Sequence, residues 1–429
     1  MIMKITLKSD SMSQTVEIPD RNFLGIIQPP KLPDPEKQVS LMVKQAIEEP
    51  LNSATLDELV TAKSRIAIVV DDISRPTPSK DILEVLLEKL KNLSVKNEQI
   101  KITIGNGLHR LTTEQEKKKI VGEQVLRDFD VADNQADIEE DFTYIGTTSS
   151  DTPVFVNKRV ADADVVITLG VIKSHGIAGF TGGAKSILPG VSAKQTILRN
   201  HRYDFIEYPK GIVGDADLSF MRRDIEEAAG LLGIPIFIIN VVMDEEKNVR
   251  GVFAGDVVKA HRKGAEFFRQ LAEVNLEQQA DLIIIEADYP SSENLYFALA
   301  GLAIVMSAKS PAIKAGGSVI LFAQCSNGIG AQIIEKLFNS FETPDEMLEH
   351  LRTSAPVEQQ WAAQRLAFYV TQRDIGIVTD GIEKQTAKRL RMRYFNTLQQ
   401  AVDEFLAKHG TDAKVLIIKN TDFLLLKVK

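Results

Sequence analysis

The chain of 429 residues holds one cysteine, Cys325, so no intrachain disulfide can form and a metal site built of cysteines alone is excluded. No run approaches the roughly 18 apolar residues of a membrane span. Met1 to Val16 alternates charged and apolar residues where a signal peptide would show an apolar core. Internal repeats and low-complexity tracts are missing as well. Nor is there an excess of basic charge: 51 Lys and Arg against 59 Asp and Glu leave a net charge of -8, which gives no electrostatic footprint for nucleic acid or an anionic membrane. These absences point to a soluble, cytoplasmic protein with a small-molecule partner, and they leave its oligomeric state open.

What the chain has is a repeated alternation. Buried-looking runs at Ile66 to Val70, Ile100 to Ile104, Val165 to Leu169 and Ile234 to Val242 are separated by amphipathic stretches such as Ile82 to Leu90 and Leu218 to Leu232. A second series follows the helix-like run Asp256 to Val274. Its strands are Leu282 to Ile285, Val319 to Phe322 and Ile375 to Val378, and its helices Asn294 to Ser307, Gly330 to Phe338, Val357 to Tyr369 and Leu398 to Lys408. The class is α/β, with two α/β domains, largely parallel sheets and an active site in the cleft between them. The expected division is a cofactor-binding domain over 1–270 and a domain closing over the substrate over 271–409, with the boundary in the polar stretch Asn275 to Gln279. Pattern alone does not decide whether the late strand Val415 to Ile418 joins the second sheet or brings 410–429 back to the first.

Ligands of open α/β sheets bind beyond the carboxyl ends of the strands. Three such ends carry chemistry. Ile66 to Val70 empties into Asp71-Asp72-Ile73-Ser74-Arg75-Pro76-Thr77-Pro78 ahead of a helix N-terminus, where an anion is favoured; the plain alternative is a capped turn with Thr77 or Ser79 as N-cap. Ile100 to Ile104 empties into Gly105-Asn106-Gly107-Leu108-His109-Arg110. Val165 to Leu169 leads to Lys173-Ser-His175-Gly176-Ile-Ala-Gly179-Phe-Thr-Gly182-Gly183-Ala-Lys185, with His201 beyond it in a chain of only six histidines. The glycines, Gly182 and Gly183 among them, permit positive φ and close approach of a ligand. Lys185 is a candidate amine nucleophile or phosphate partner, and His175 and His201 are candidate proton carriers or metal ligands.

Two other classes compete. Gly179 to Ser186 departs from the phosphate-cradling Gly-x-x-x-x-Gly-Lys-Ser pattern only at Ala184, which raises a nucleoside triphosphatase. Against it, Pro189 and Gly190 stop any helix that would open at Lys185. A nucleotide-binding module without chemistry is the other alternative, and the convergence of a lysine with three histidines argues for catalysis over mere binding.

The phrases Asp-Asp-Ile-Ser-Arg-Pro-Thr-Pro at 71–78, Gly-Asn-Gly-Leu-His-Arg at 105–110, the glycine-rich segment at 173–185 and Asn-His-Arg at 200–202 resemble those of the lactate racemase family, over essentially the whole chain. The resemblance implies a racemase or epimerase that inverts C2 of a 2-hydroxy acid through a 2-keto acid. It implies nickel held in a pyridinium-3-thioamide-5-thiocarboxylic acid mononucleotide, the nickel-pincer nucleotide, bound covalently to Lys185 and made and installed by cofactor maturation enzymes. It further implies His201 as nickel ligand, His109 and His175 as an acid/base pair, Asp72 orienting a partner, Arg75 at the substrate carboxylate, and Trp361 as a residue contributed by the second domain. The chain departs from the family pattern after Pro290. By that match Phe297 stands for a Gln and Ala300 for a Lys at the substrate, beside Tyr296, so a larger or more apolar 2-hydroxy acid than lactate is expected, with sugar acids left open by Glu293.

Overall fold

The computed structural model describes residues 1–35, 37–207 and 212–429. Two six-stranded sheets organise it. In the first, the order is Val249–Asp256, Ile236–Met243, Val165–Val171, Ile66–Asp71, Ile100–Gly105, Asp130–Asp133, and every pairing is parallel except that of the Val249–Asp256 edge strand. The central strand Val165–Val171 is buried along its whole length, which is why it reads as an apolar run broken only by Thr168 and Gly170. Strand order reverses between Ile66–Asp71 and Val165–Val171, so the loops leaving these two neighbours part to opposite sides and open a crevice at their carboxyl ends. Helix Ser79–Asn92 covers one face through Ile82, Leu83, Leu86 and Leu90, one stripe at helical spacing.

The second sheet is wholly parallel, in the order Arg393–Phe395, Asp374–Val378, Ile313–Phe322, Ala280–Glu286, Val415–Lys419, Phe23–Ile27. Val415–Lys419 therefore belongs to this sheet. So does the start of the chain, although sequence adjacency places it with the first unit: Phe23–Ile27 pairs with Val415–Lys419. The hairpin of Ile2–Ser9 and Met12–Pro19 turns Ile5, Leu7, Val16 and Ile18 inward onto Leu282, Ile284, Ile320 and Phe322. Alternation with period two gives the hairpin one apolar face, and that face finds its cover on the second sheet. The polar stretch at 275–279 is not a free linker, since Glu273–Leu276 pairs in parallel with Leu425–Val428.

The helices expected in the second series form with small shifts of boundary, at Leu295–Met306, Gln332–Ser340, Gln360–Gln372 and Leu398–His409; Pro344–Thr353 adds one the pattern did not disclose. Asn294 caps the first of these by accepting the Phe297 N–H. Leu295, Ala298, Leu299 and Leu302 on that helix are buried in a core that also takes in Ile172 and Phe180 of the first unit. Residues just past strand ends of the two sheets touch: Lys173 Nζ lies 2.6 Å from Asp422 Oδ2, and Asn420 Nδ2 lies 2.9 Å from Glu245 Oε2. No helix among the described residues is long and apolar enough to cross a membrane.

Candidate active site

At the reversal of strand order, the turn after Ile66–Asp71 is folded around two carboxylates. Asp71 accepts from Thr77 Oγ1 at 2.6 Å and from the Val171 N–H at 3.2 Å, tying the two central strands together at their ends. Thr77 is therefore spent on Asp71 and caps no helix; Ser79 Oγ has no partner among the described residues either, so the capped-turn reading does not hold. Burial pushes the Asp71 carboxyl up to about 6, against the pull of Thr77 and Arg75. Asp72 behaves differently. Burial raises it too, but hydrogen bonds with His109 and Ser74 and the charge of Arg75 prevail and hold it below the ordinary aspartate value. His109 Nδ1 stands 2.6 Å from Asp72 Oδ2, and the other oxygen of Asp72 accepts from the Ser74 N–H and Oγ. The loop carrying His109 is braced by Gly107 N–H donating to the Gly190 carbonyl and His109 N–H to Asn106. The guanidinium of Arg75 makes no hydrogen bond or ion pair with any described residue, yet its charge is felt at Asp71, Asp72, His175, Lys185 and Asp422.

The glycine-rich segment is clamped from behind. Arg222, fully buried, donates to the carbonyls of Ala178, Phe180 and Gly182, and His261 Nε2 donates to the Thr181 carbonyl at 2.8 Å. Asn240 Oδ1 accepts the Gly183 N–H at 2.7 Å, while Asn240 Nδ2 is buried with no hydrogen-bond partner among the described residues. Gly182 and Gly183 take φ of +75° and +61°, and a Cβ on Gly183 would stand 2.9 Å from the His261 ring, so both conformation and space demand glycine there. Gly176 has no positive φ; its smallness matters instead, because a Cβ would meet Arg365 Nη2 at 2.6 Å. Lys185 lies in a short 3-10 turn, Gly183–Ser186, and no α-helix opens there, unlike a phosphate-cradling loop. Its amine has no hydrogen bond or ion pair with the described residues. Burial and the charges of Arg222 and Arg75, opposed by Asp71, hold it well below the usual lysine value, the condition of a nucleophilic amine.

His201 follows helix Lys194–Asn200 and donates from Nδ1 to the Ile197 carbonyl at 3.0 Å, which leaves the Nε2 lone pair free. Burial, with the Lys185 charge, brings its pKa down to about 3. The neighbours in Asn-His-Arg are anchors: Asn200 Nδ2 donates to buried Asp224, and Arg202 reaches the Ser150 carbonyl and stacks on Phe205. Trp361 of helix Gln360–Gln372 sits 4.7 Å from the His201 ring, centroid to centroid, and its indole N–H donates to Tyr296 Oη at 3.3 Å. Tyr296, Phe297 and Ala300 are the partly exposed positions of Leu295–Met306, on a side away from its core-packed residues. His175 is partly buried, and burial together with the charges of Lys185, Arg75 and Arg365 holds its pKa well below the ordinary histidine value. Charge couples Arg75 to Asp71, Asp72, His175 and Lys185, and Lys185 to His201; His109 joins them through Asp72, Gly182 and Gly183 share the segment of Lys185, and Trp361 of the second unit lies against His201 and donates to Tyr296.

Sequence reasoning did not single out Asp71, Arg222, Asn240, His261, Arg365 or Asp422. Asn240 and His261 had a signal, a polar side chain interrupting an otherwise apolar strand or helix face. Among the described residues no three His, Cys, Asp or Glu groups gather as a metal cage, so His201 is a solitary imidazole donor.

A model of the lactate racemase N-terminal domain matches residues 10–213, and a model of the lactate racemase C-terminal domain matches residues 274–422. The chain is 30% identical over 421 residues to the lactate racemase of Lactiplantibacillus plantarum, covering 97% of this chain and 98% of that protein. It is 32% identical over 409 residues to the lactate racemase of Thermoanaerobacterium thermosaccharolyticum, covering 94% of each. The lactate racemase apoprotein structure from the latter organism superposes with a TM-score of 0.89 at 30% identity, covering all of both chains. A Thermotoga maritima protein shares the fold at a TM-score of 0.69 and 16% identity, covering 93% of this chain and 100% of that one.

Proposed function

The chain belongs to the lactate racemase family and is an isomerase, and from that premise we propose that it inverts the C2 centre of a 2-hydroxy acid in the cleft between its two sheets, in the cytoplasm. The observation that carries the reading is the set of unsatisfied donors and acceptors at one crevice: the Lys185 amine, the His201 Nε2 lone pair, the orphaned Asn240 Nδ2 and the unpaired Arg75 guanidinium. These fit a nickel-pincer nucleotide. Lys185 would be the amine for its covalent attachment, and His201 would supply an imidazole ligand to its nickel. Gly182 and Gly183 allow the nucleotide to lie against bare backbone. When bound, the group would supply a hydride acceptor and donor for C2, and maturation enzymes would supply the group.

The protein's own residues do the rest. His109 and His175 flank the substrate oxygen and manage its proton, Asp72 holds His109 by Nδ1, and Arg75 receives the carboxylate. Trp361 keeps the His201 ring in place and shields it from water. Tyr296, Phe297 and Ala300 form a wall that offers no charge, which favours a larger or more apolar substituent than methyl. The test is a panel of single-enantiomer 2-hydroxy acids given to cofactor-loaded protein with chiral detection. Racemisation or epimerisation of at least one is expected; phosphate release from ATP with no change of configuration in the whole panel would replace this reading with the triphosphatase.

A further inference from the structure

The second sheet ends in a crevice of its own. Ala280–Glu286 and Val415–Lys419 are neighbours, while the chain leaving Ala280–Glu286 returns as Ile313–Phe322 on its other side, so the loops part at their carboxyl ends as they do in the first sheet. Such a place ordinarily takes a ligand. Here the N-terminal hairpin lays its own turn across it. Glu286, the last residue of its strand, pairs with Lys419 at 2.9 Å and accepts the Lys8 N–H at 3.2 Å. Ser9, fully buried, donates from Oγ to the Ala287 carbonyl at 2.6 Å and accepts the Gln324 N–H at 2.9 Å, so one hydroxyl joins the residues that follow two adjacent strands. The Ser11 N–H donates to Gln324 Oε1 at 2.8 Å. Asp10, exposed and at a φ of +51°, accepts from the Oγ of buried Ser292 at 2.6 Å.

Ser292 stands at the head of a set of backbone hydrogen bonds that fixes the start of helix Leu295–Met306. Its carbonyl accepts the Cys325 N–H at 2.8 Å, and that of Glu293 accepts the Asn327 N–H at 2.8 Å. From the same loop the Gly328 and Ile329 carbonyls accept the Leu295 and Tyr296 N–H groups at 2.9 and 3.0 Å. With Asn294 on the Phe297 N–H, the first three donors of the helix are all taken, so its start is tied in place and offers no anion site. Gly330, at a φ of +77°, packs so closely that a Cβ there would collide with the Asn294 side chain. Building on the reading above, we propose that the turn at 9–11 is the foundation of the substrate wall, with Asp10 and Ser292 as positioning residues. The carboxylate holds the hydroxyl, the backbone of Ser292 and Glu293 holds the helix start, and the helix presents Tyr296, Phe297 and Ala300. Neither residue meets the substrate. Loosening their link lets the wall shift, which reorders 2-hydroxy acids by the size of the C3 substituent and leaves Lys185 untouched.

Trp361, the only tryptophan of the chain, reads the wall without cofactor, because its indole N–H donates to Tyr296 Oη at 3.3 Å. In the full chain free of cofactor, Ser292→Ala and Asp10→Gly, the latter free of strain at positive φ, are expected to shift Trp361 emission and raise its quenching by acrylamide, in the direction that Tyr296→Phe sets. Asp10→Asn, which keeps an acceptor, and Thr15→Ala, which lies elsewhere on the hairpin, are expected to match wild type. Emission and quenching unchanged in both Ser292→Ala and Asp10→Gly overturn the proposal, as does an equal change in Thr15→Ala, which would make the effect one of hairpin stability. In cofactor-loaded protein, Ser292→Ala is expected to change the kcat/KM ratio of a long-chain over a short-chain 2-hydroxy acid by about three- to tenfold, the worth of one hydrogen bond. The change should come through KM, with the adduct mass at Lys185 unaltered. An equal fall in kcat for every substrate, with their ranking kept, also overturns it. A wild type inactive toward the whole panel refutes the function read above, and the fluorescence alone then decides whether the turn holds the helix.

Discussion

The loops that follow the strands of the first sheet and those that follow the second bury very different things. Around the first, the cations Lys185, Arg75 and Arg222 and the imidazoles His175, His201 and His261 lie close together and outnumber the carboxylates that reach them, Asp71, Asp72, Asp422 and Glu226. Around the second, the buried carboxylate Glu286 is matched by Lys419 at 2.9 Å, and the helix facing the crevice, Leu295–Met306, carries no charge at all. An interior that leaves cations unbalanced gives up stability for reactivity and for affinity toward an anionic ligand. One that pairs its charges and offers methyl groups and rings sets shape. The first unit is therefore expected to own the chemistry and the second the choice of substrate.

The strongest way to break that division is Lys185→Ala. The variant should fold, fail to gain the cofactor's mass in intact-protein spectra, and turn over nothing above background. A cofactor found on some other lysine would move the chemistry elsewhere. Next, Asp72→Asn should lower kcat by about two to four powers of ten with little change in KM. A proportional rise in KM instead would make Asp72 part of substrate binding.

Asp71 sharpens the same contrast through pH. Its carboxyl stands at about 6 in the folded chain against an ordinary 3.8. A group raised on folding favours the native state only while protonated, so this contribution is whole below pH 3.8, fades as pH rises, and is gone above about 6. Asp71→Asn, which keeps an acceptor for Thr77, should therefore be more stable than wild type at pH 8 by on the order of 1–3 kcal/mol in denaturant unfolding, with the advantage vanishing toward pH 4. The smallest effect belongs to the second unit. Phe297→Gln with Ala300→Lys should shift the ratio of kcat/KM toward small 2-hydroxy acids by about 1–3 kcal/mol, leaving cofactor loading unchanged. A wild type that already prefers lactate, with a ranking the double variant does not alter, would deny this helix its part.

How much of this was legible follows from what leaves a local trace. The strands Ile66–Asp71 and Val165–Val171 announce themselves because burial on both faces calls for near-continuous apolar runs, Ile100–Gly105 because isoleucine recurs at every second position, and chemistry at their carboxyl ends follows from parallel topology. The edge strand Val249–Asp256 is glycine-bearing and half-exposed and carries no such mark. The support of the glycine-rich segment was illegible for a different reason. Arg222 and His261 act from helices distant in sequence, and a lone arginine on an amphipathic helix looks like any solvated cation until three carbonyls are seen around it. Thr77 shows the converse, a residue whose local cue suggests a cap while the tertiary fold gives it to Asp71.

The pairing of Phe23–Ile27 with Val415–Lys419 joins an early strand to one of the last. During translation the second sheet lacks the neighbour of its opening strand until nearly the whole chain has left the ribosome, whereas the first sheet, complete by Asp256, can already be folded. The apolar face of the Ile2–Pro19 hairpin has no cover in that interval, which makes the nascent chain's beginning the segment most in need of a holdase. Removal of residues 1–27 should accordingly strip a folded molecule of solubility before it strips it of chemistry, since Ile284, Ile320 and Phe322 would lose their lid while Lys185 and His201 keep every contact described.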